Sequence, residues 1–175
     1  LLSNSLDLYV DADFAGLWNQ EDPQDPTSAR SHTGFVICLG DNPVVWASRL
    51  QSEVALSTMS AEYIAASDGM RSLIFLRRVH QEICTSLSLP FDPISNTSVV
   101  WEDNQACIAL ATADPPRMTP RSKSIAVKYH WFRDQLQPKH IEMRHIPSKL
   151  QRANIFTKSL PRVQFEAERF MLMGF

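Results

Sequence analysis

At 175 residues, 44% hydrophobic and 21% charged, the chain has the size and apolar content of one domain that buries its own core. Five glycines and 11 prolines without a repeat or a low-complexity tract argue against a solenoid, a linker or a disordered tail, and no apolar run approaches the ~20 residues that span a bilayer. The formal net charge of -2 does not announce a nucleic-acid partner, since domains that bind nucleic acid tend to be basic.

Leu1 to Asp7 carry neither an initiator Met nor the charged-then-apolar pattern of a signal peptide, so the chain is expected to be a segment of a longer one. Leu6, Leu8 and Val10 alternate with Asp7, Tyr9 and Asp11, the period of a strand with one buried face that carries Asp11 to its end. Residues 21–26 read as loop. Thr33 to Leu39 and Val44 to Ser48 are two apolar runs separated by Gly40-Asp-Asn-Pro43, which predicts two strands joined as a hairpin.

From about Ser57 to Cys84 there is no proline, and Ala66, Met70, Leu73, Leu76, Val79 and Ile83 recur at three- and four-residue steps, the stripe of a long amphipathic helix. One turn before Ala66 stands Glu62, which either complements the helix dipole or, at a buried edge, needs a partner or a cation. Ser98 to Trp101 predicts a strand running into Asp103 and an Ala-rich helix, Gln105 to Ala113. At that junction Asp103 or Asn104 would serve as the N-cap.

Ser124 to Leu136 predicts a helix, Ile141 to Ile146 a strand, and Lys149 to Lys158 has helical composition. Phe165, Phe170, Met171, Leu172, Met173 and Phe175 make an apolar tail that is expected to pack on the domain or on a neighbour. Between Pro115 and Arg133, Arg117, Arg121, Lys123, Lys128 and Arg133 occur with no acid among them; the segment is a solvated face or a track for phosphates. Cys38, Cys84 and Cys107 are odd in number and lack a C-x-x-C spacing, which predicts free buried thiols in a reducing compartment.

The element order predicts an α/β fold in which the first strands form a meander and later ones join through helical crossovers. Functional groups in such sheets gather at strand ends, where Asp11, Glu62 and Asp103 fall. Three carboxylates drawn together raise one another's pKa unless a cation neutralises them, and hard oxygen ligands suit Mg²⁺ or Mn²⁺. His130, His140 and His145 follow no metal-ligand spacing, and no G-x-S-x-G turn presents a nucleophilic serine.

Six strings in order, Tyr9-Val-Asp-Ala-Asp-Phe-Ala-Gly16, Arg30-Ser-His-Thr-Gly-Phe35, Ser60-Ala-Glu-Tyr63, Trp101-Glu-Asp-Asn-Gln-Ala-Cys-Ile-Ala-Leu110, Lys128-Tyr-His130 and Ala153-Asn-Ile-Phe-Thr-Lys-Ser-Leu160, resemble the ribonuclease H domain of copia-type LTR retrotransposon polyproteins. The resemblance covers nearly the whole chain. It implies one ribonuclease H-like domain over residues 1–175, a five-stranded mixed sheet whose first three strands are antiparallel, flanked by helices. It also implies two-metal-ion hydrolysis of the RNA strand of RNA/DNA hybrids with Mg²⁺, Mn²⁺ substituting. A reverse transcriptase domain is expected upstream in the same polyprotein, and the setting is expected to be cytoplasmic, in virus-like particles, with no membrane partner.

The resemblance further implies that Asp11, Glu62, Asp103 and position 154 are catalytic and hold the metal ions. The family's usual Asp at 154 is Asn154 here, which keeps an oxygen donor but loses a charge, so weaker binding of the water-activating ion and reduced activity are expected. Decay of the element and a substitution chosen to trap substrate would leave the same trace. The family also commonly has His at Ser124 and an acid at Ala126, and the loop from Ile146 to Gln151 lacks the histidine that relatives carry there, with Lys149 a partial substitute. Substrate contacts are expected from Ser60, Asn104 and Gln105 on the RNA side and from Arg117, Arg121, Lys123 and Lys128 on phosphates. The rival reading is a catalytically inactive hybrid-binding or structural module. An integrase-like fold is disfavoured by the placement of its acids and its missing zinc-binding pairs.

Overall fold

The computed structural model describes residues 5–18, 24–92, 96–113, 125, 127–136 and 139–175. Strands β1 (Leu6–Asp13), β2 (His32–Leu39) and β3 (Asn42–Leu50) run antiparallel, and β4 (Ser98–Glu102) and β5 (Ile141–His145) join parallel to β1, in the order β3-β2-β1-β4-β5. This is the mixed sheet expected from the sequence. The β2–β3 hairpin turns at Gly40, whose φ of 59° is a conformation that glycine adopts without a steric penalty.

Helix α1 (Thr58–Ser86) starts where the Ser57 side chain accepts the Ser60 N–H, an N-cap that satisfies one of the orphan donors of the first turn. Leu8, Val10, Phe35, Ile37, Tyr63, Ala66, Met70 and Leu73 form the main core between α1 and one face of the sheet. The predicted stripe holds through Leu76, which packs on the core partly buried, and then Ile83 is exposed and Cys84 is buried in its stead. Twenty-nine residues make a helix ~43 Å long whereas an eight-residue strand spans ~27 Å, so the last turns of α1 overrun the sheet they pack on.

The other face carries a smaller cluster in which Val36 and Cys38 meet Leu172 of α3 (Arg162–Met173). The alternation within β2 sends Phe35 and Ile37 to one layer and Val36 and Cys38 to the other, and for that reason this strand reads as an unbroken apolar run. All three cysteines are free and buried.

Helix α2 (Gln105–Thr112) follows β4 directly, and Asn104, not Asp103, is its cap, accepting the Cys107 N–H at 3.0 Å. That leaves the Asp103 carboxylate available to other partners. Two expected helices are shorter or tighter than predicted. Val127–Gln135 is a 3-10 helix, and the stretch from Lys149 to Lys158 is two separate 3-10 turns, Ser148–Leu150 and Asn154–Phe156. Buried Gln151 sits between those turns with its amide bonded to the carbonyls of Val10 on β1 and Trp101 on β4, and a continuous helix would not place it there.

The apolar tail packs only in part. Leu172 is buried, while Phe165, Phe170, Met173 and Phe175 are exposed, because α3 meets the body along one narrow face, against β3 and the 154–156 turn. No helix among the described residues is long and apolar enough to cross a membrane.

Candidate active site

The parallel strands β1 and β4 pair only through Leu8↔Val100 and Tyr9↔Trp101 and then diverge. The gap is bridged by one side chain. Gln151, fully buried, donates from Nε2 to Val10 C=O at 2.9 Å and to Trp101 C=O at 3.1 Å, and its Oε1 accepts the Ala153 N–H at 3.3 Å. A ladder that ends inside the protein leaves buried carbonyls in need of donors, and the amide supplies both. The residues just past these carbonyls are Asp11 on β1 and Glu102-Asp103 on β4, so Gln151 fixes the opening across which the acids face one another.

One carboxylate oxygen from each of Asp11, Glu62 and Asp103 lies within 4.8 Å of the other two. The three residues expected from sequence thus converge, one from β1, one from the second turn of α1 and one from the β4–α2 junction. They line an open cleft together with Asp13, Phe14, Thr58, Asn104, Ser148 and Lys158. Asp11 and Glu62 are buried and Asp103 is half-buried.

A fourth carboxylate, not expected from the sequence, stands beside these three. Glu102 is fully buried beside Asp103; one oxygen accepts the Asn104 N–H at 2.9 Å and the other has no partner, like Glu62 Oε2. Burial, reinforced by Glu102, Asp11 and Asp103, pushes the Glu62 carboxyl above its ordinary range, with Lys158 opposing. Burial also raises Glu102, against the Asn104 N–H, which lowers it. Asp11 is raised by burial despite Lys158 and the Thr157 hydroxyl, both of which favour its charged form. Buried acids that resist ionisation, two of them with an oxygen lacking a donor, form a hard-oxygen donor set that suits a divalent cation.

Asn154, the fourth expected residue, is buried and is linked to Asp11 through Lys158. Its Nδ2 donates to Ser148 C=O at 2.8 Å and its Oδ1 accepts from Lys158 Nζ at 3.1 Å. Lys158 Nζ also reaches Asp11 Oδ1 at 3.1 Å, and the Thr157 hydroxyl donates to Asp11 Oδ2. Ser148 Oγ in turn donates to Asp103 Oδ2 at 2.6 Å. The segment carrying Asn154, Thr157 and Lys158 can approach β1 closely because Gly34, paired opposite Asp11, has no side chain: a Cβ there would stand 2.5 Å from Thr157 Cγ2 and 2.9 Å from Phe156 Cβ.

The expected substrate contacts divide. Asn104 lines the cleft as the helix cap, and Gln105 is exposed at the first position of α2. Ser60 is 4% exposed, and its hydroxyl pairs with Ser57 Oγ at 2.8 Å, so in this fold it belongs to the start of α1 and not to the open surface. Arg117, Arg121 and Lys123, with Ser124 and Ala126, lie outside the described residues, as does the Lys128 side chain. Lys149 is exposed. Lys158, not expected from the sequence, does have a signal there: it stands four places after Asn154, the spacing that stacks side chains over one helical turn.

No protein-family model matches the chain. It is 33% identical over 158 residues to the retrovirus-related Pol polyprotein from transposon TNT 1-94 of Nicotiana tabacum, and 32% identical over 162 residues to that from transposon RE2 of Arabidopsis thaliana. These alignments take in 90% and 93% of the chain but 10% of each polyprotein, so the chain spans about a tenth of the length of the curated relatives it matches. Among solved structures it resembles the N-terminal ribonuclease H domain of a Mycobacterium tuberculosis protein, with a TM-score of 0.51 at 12% identity, covering 95% of this chain and 96% of that one. It also resembles ribonuclease H1 of Halobacterium salinarum, with a TM-score of 0.51 at 15% identity, covering 87% and 94%. The chain belongs with a segment of the retrovirus-related Pol polyproteins of copia-type transposons, and its fold is that of ribonuclease H.

Proposed function

We propose that the chain hydrolyses the RNA strand of RNA/DNA hybrids during reverse transcription, with Asp11, Glu62 and Asp103 holding divalent cations, Mg²⁺ by preference, and Asn154 lowering the rate. The observation that carries this reading is the convergence of those three carboxylates within 4.8 Å in an open cleft. Bound cations of this class supply an activated water and neutralise the charge that builds on a phosphodiester.

The chain's own residues do the rest. Gln151 holds β1 and β4 apart at a fixed spacing, Thr157 orients Asp11, and Asn104 borders the cleft where 2'-hydroxyls would pass, with exposed Gln105 next to it in the chain. With a net charge of -2, the isolated domain would bind hybrid weakly. A reverse transcriptase domain on the same polyprotein, carried in intracellular virus-like particles, would raise the effective concentration of substrate.

A second reading, a hybrid-binding module without catalysis, draws on Asn154, whose amide is engaged at both ends with protein partners. Cleavage of a labelled hybrid in Mg²⁺ and then Mn²⁺, comparing the chain with Asn154→Asp and Asp11→Asn, separates the two. Faster cutting by Asn154→Asp and none by Asp11→Asn is expected. If Asn154→Asp binds hybrid and never cuts, the nuclease reading is wrong.

A further inference from the structure

Lys158 Nζ lies 3.1 Å from Asp11 Oδ1 and 3.1 Å from Asn154 Oδ1. The orientation of the Asn154 amide follows from its partners, because an ammonium can only donate and the Ser148 carbonyl can only accept. The Thr157 hydroxyl takes the second oxygen of Asp11, so both oxygens of this carboxylate have donors. Glu62 Oε2 and Glu102 Oε2 have none. The cleft is therefore divided: a fixed positive charge already stands between Asp11 and Asn154, and the described residues lining the cleft offer Glu62 no hydrogen-bonded cation.

We infer that Lys158 is a tethered cation that holds the Asp11–Asn154 side of the cleft in place of a divalent ion, and that an incoming ion must compete with it for Asp11. The inference rests on the reading of Asp11, Glu62 and Asp103 as metal ligands. An ammonium and a divalent ion cannot share Asp11 Oδ1 without repulsion that water screens poorly at a buried carboxylate. Lys158 is the only cation lining the cleft among the described residues. Removing its charge should act in two opposite directions, weakening the metal-free fold and strengthening metal uptake. A lysine with a merely structural role would give the first effect without the second.

The test uses the full chain with Lys158→Met and Lys158→Arg, titrated with Mn²⁺ by calorimetry or by the electron spin resonance of free Mn²⁺, with thermal unfolding followed in EDTA. Lys158→Met should bind Mn²⁺ on the order of tenfold more tightly, the scale of one charge-assisted hydrogen bond removed from competition, and should melt at a lower temperature in EDTA. Lys158→Arg should return both quantities towards the unsubstituted chain. Mn²⁺ binding by Lys158→Met that is unchanged or weaker overturns the inference and leaves the metal ligands standing. No Mn²⁺ uptake by any of the chains overturns the ligand assignment, and this inference with it.

Discussion

Replacing Gln151 with Met keeps the length and volume of the side chain and removes both donors. Val10 C=O and Trp101 C=O would then lie in the gap beyond the last β1–β4 pair with no partner from this side chain, and the Ala153 N–H would lose its acceptor. At about 1 to 3 kcal/mol for each orphaned buried group, the two carbonyls alone amount to about 2 to 6 kcal/mol, against a total stability for such domains of about 5 to 15 kcal/mol. For a chain of this size each 1 kcal/mol moves Tm by about 2 to 4 °C. Thermal and urea unfolding of Gln151→Met, with exposed Gln105→Met as control, should show a fall of that size for the first and almost none for the second. Gln151→Glu should be worse than Met, since a carboxylate cannot donate to carbonyls and adds another acid to a buried cluster. If Gln151→Met unfolds within about 1 kcal/mol of the unsubstituted chain, roughly the net worth of one ordinary hydrogen bond, the amide does not hold the strands and the account of the opening fails.

Gly34→Ala should cost about 1 to 3 kcal/mol, as overpacking does, because its Cβ would press on Thr157 and Phe156. It should also tighten Mn²⁺ binding, since the displaced segment carries Lys158, which competes with the ion for Asp11; unchanged Mn²⁺ affinity beside a clear loss of stability would break that link. A pH series gives an independent check. Glu62 and Glu102 hold their protons more firmly folded than unfolded, so above the ordinary glutamate value of 4.5 the unfolded chain binds fewer protons than the folded one and stability falls as pH rises. Lys158, which faces these acids, loses ground to burial but is held above its ordinary value of 10.5 by Asp11, Glu62 and Asp103, so it stays charged through this range. In EDTA the urea midpoint should drop from about pH 5 to about pH 8, and saturating Mg²⁺ should flatten the slope. A midpoint in EDTA that does not change over that interval would contradict the burial of those acids.

The strands, the hairpin and the long helix were legible because each has an apolar period matching a single geometry, as in Leu6, Leu8 and Val10 or Ala66, Met70 and Leu73. Asp11, Glu62 and Asp103 were legible because each stands near the start or end of a patterned element, although β1 runs two residues past Asp11. Glu102 was not, because it closes β4 on the buried face, where the strand pattern calls for an apolar residue, and a sequence does not disclose that its charge falls near Glu62. Gln151 was hidden for a related reason. Its role depends on the divergence of β1 from β4, a tertiary fact separated from it by 141 residues of chain at Val10. The helical composition of 149–158 was misleading because buried side-chain bonds from Gln151 and Asn154 outweigh a weak local preference for continuous helix.

Weighing nuclease against binding module comes down to what buried acids gain. Glu62 and Glu102 each carry an oxygen with no donor inside the protein, and Lys158 is already committed to Asp11 and Asn154. A fold retained only to bind hybrid would be more stable with glutamine or leucine at those two positions, because a buried acid without a partner must either ionise at a cost or hold a proton that neutral water would remove. A cation taken up beside Glu62 and Asp103 offsets that penalty, and only chemistry that uses the cation makes the arrangement worth its instability. Double replacement by Glu62→Gln and Glu102→Gln should therefore raise the melting temperature in EDTA while abolishing both Mn²⁺ uptake and cleavage. A melting temperature that falls instead would mean that the two acids are structural and would favour the binding module.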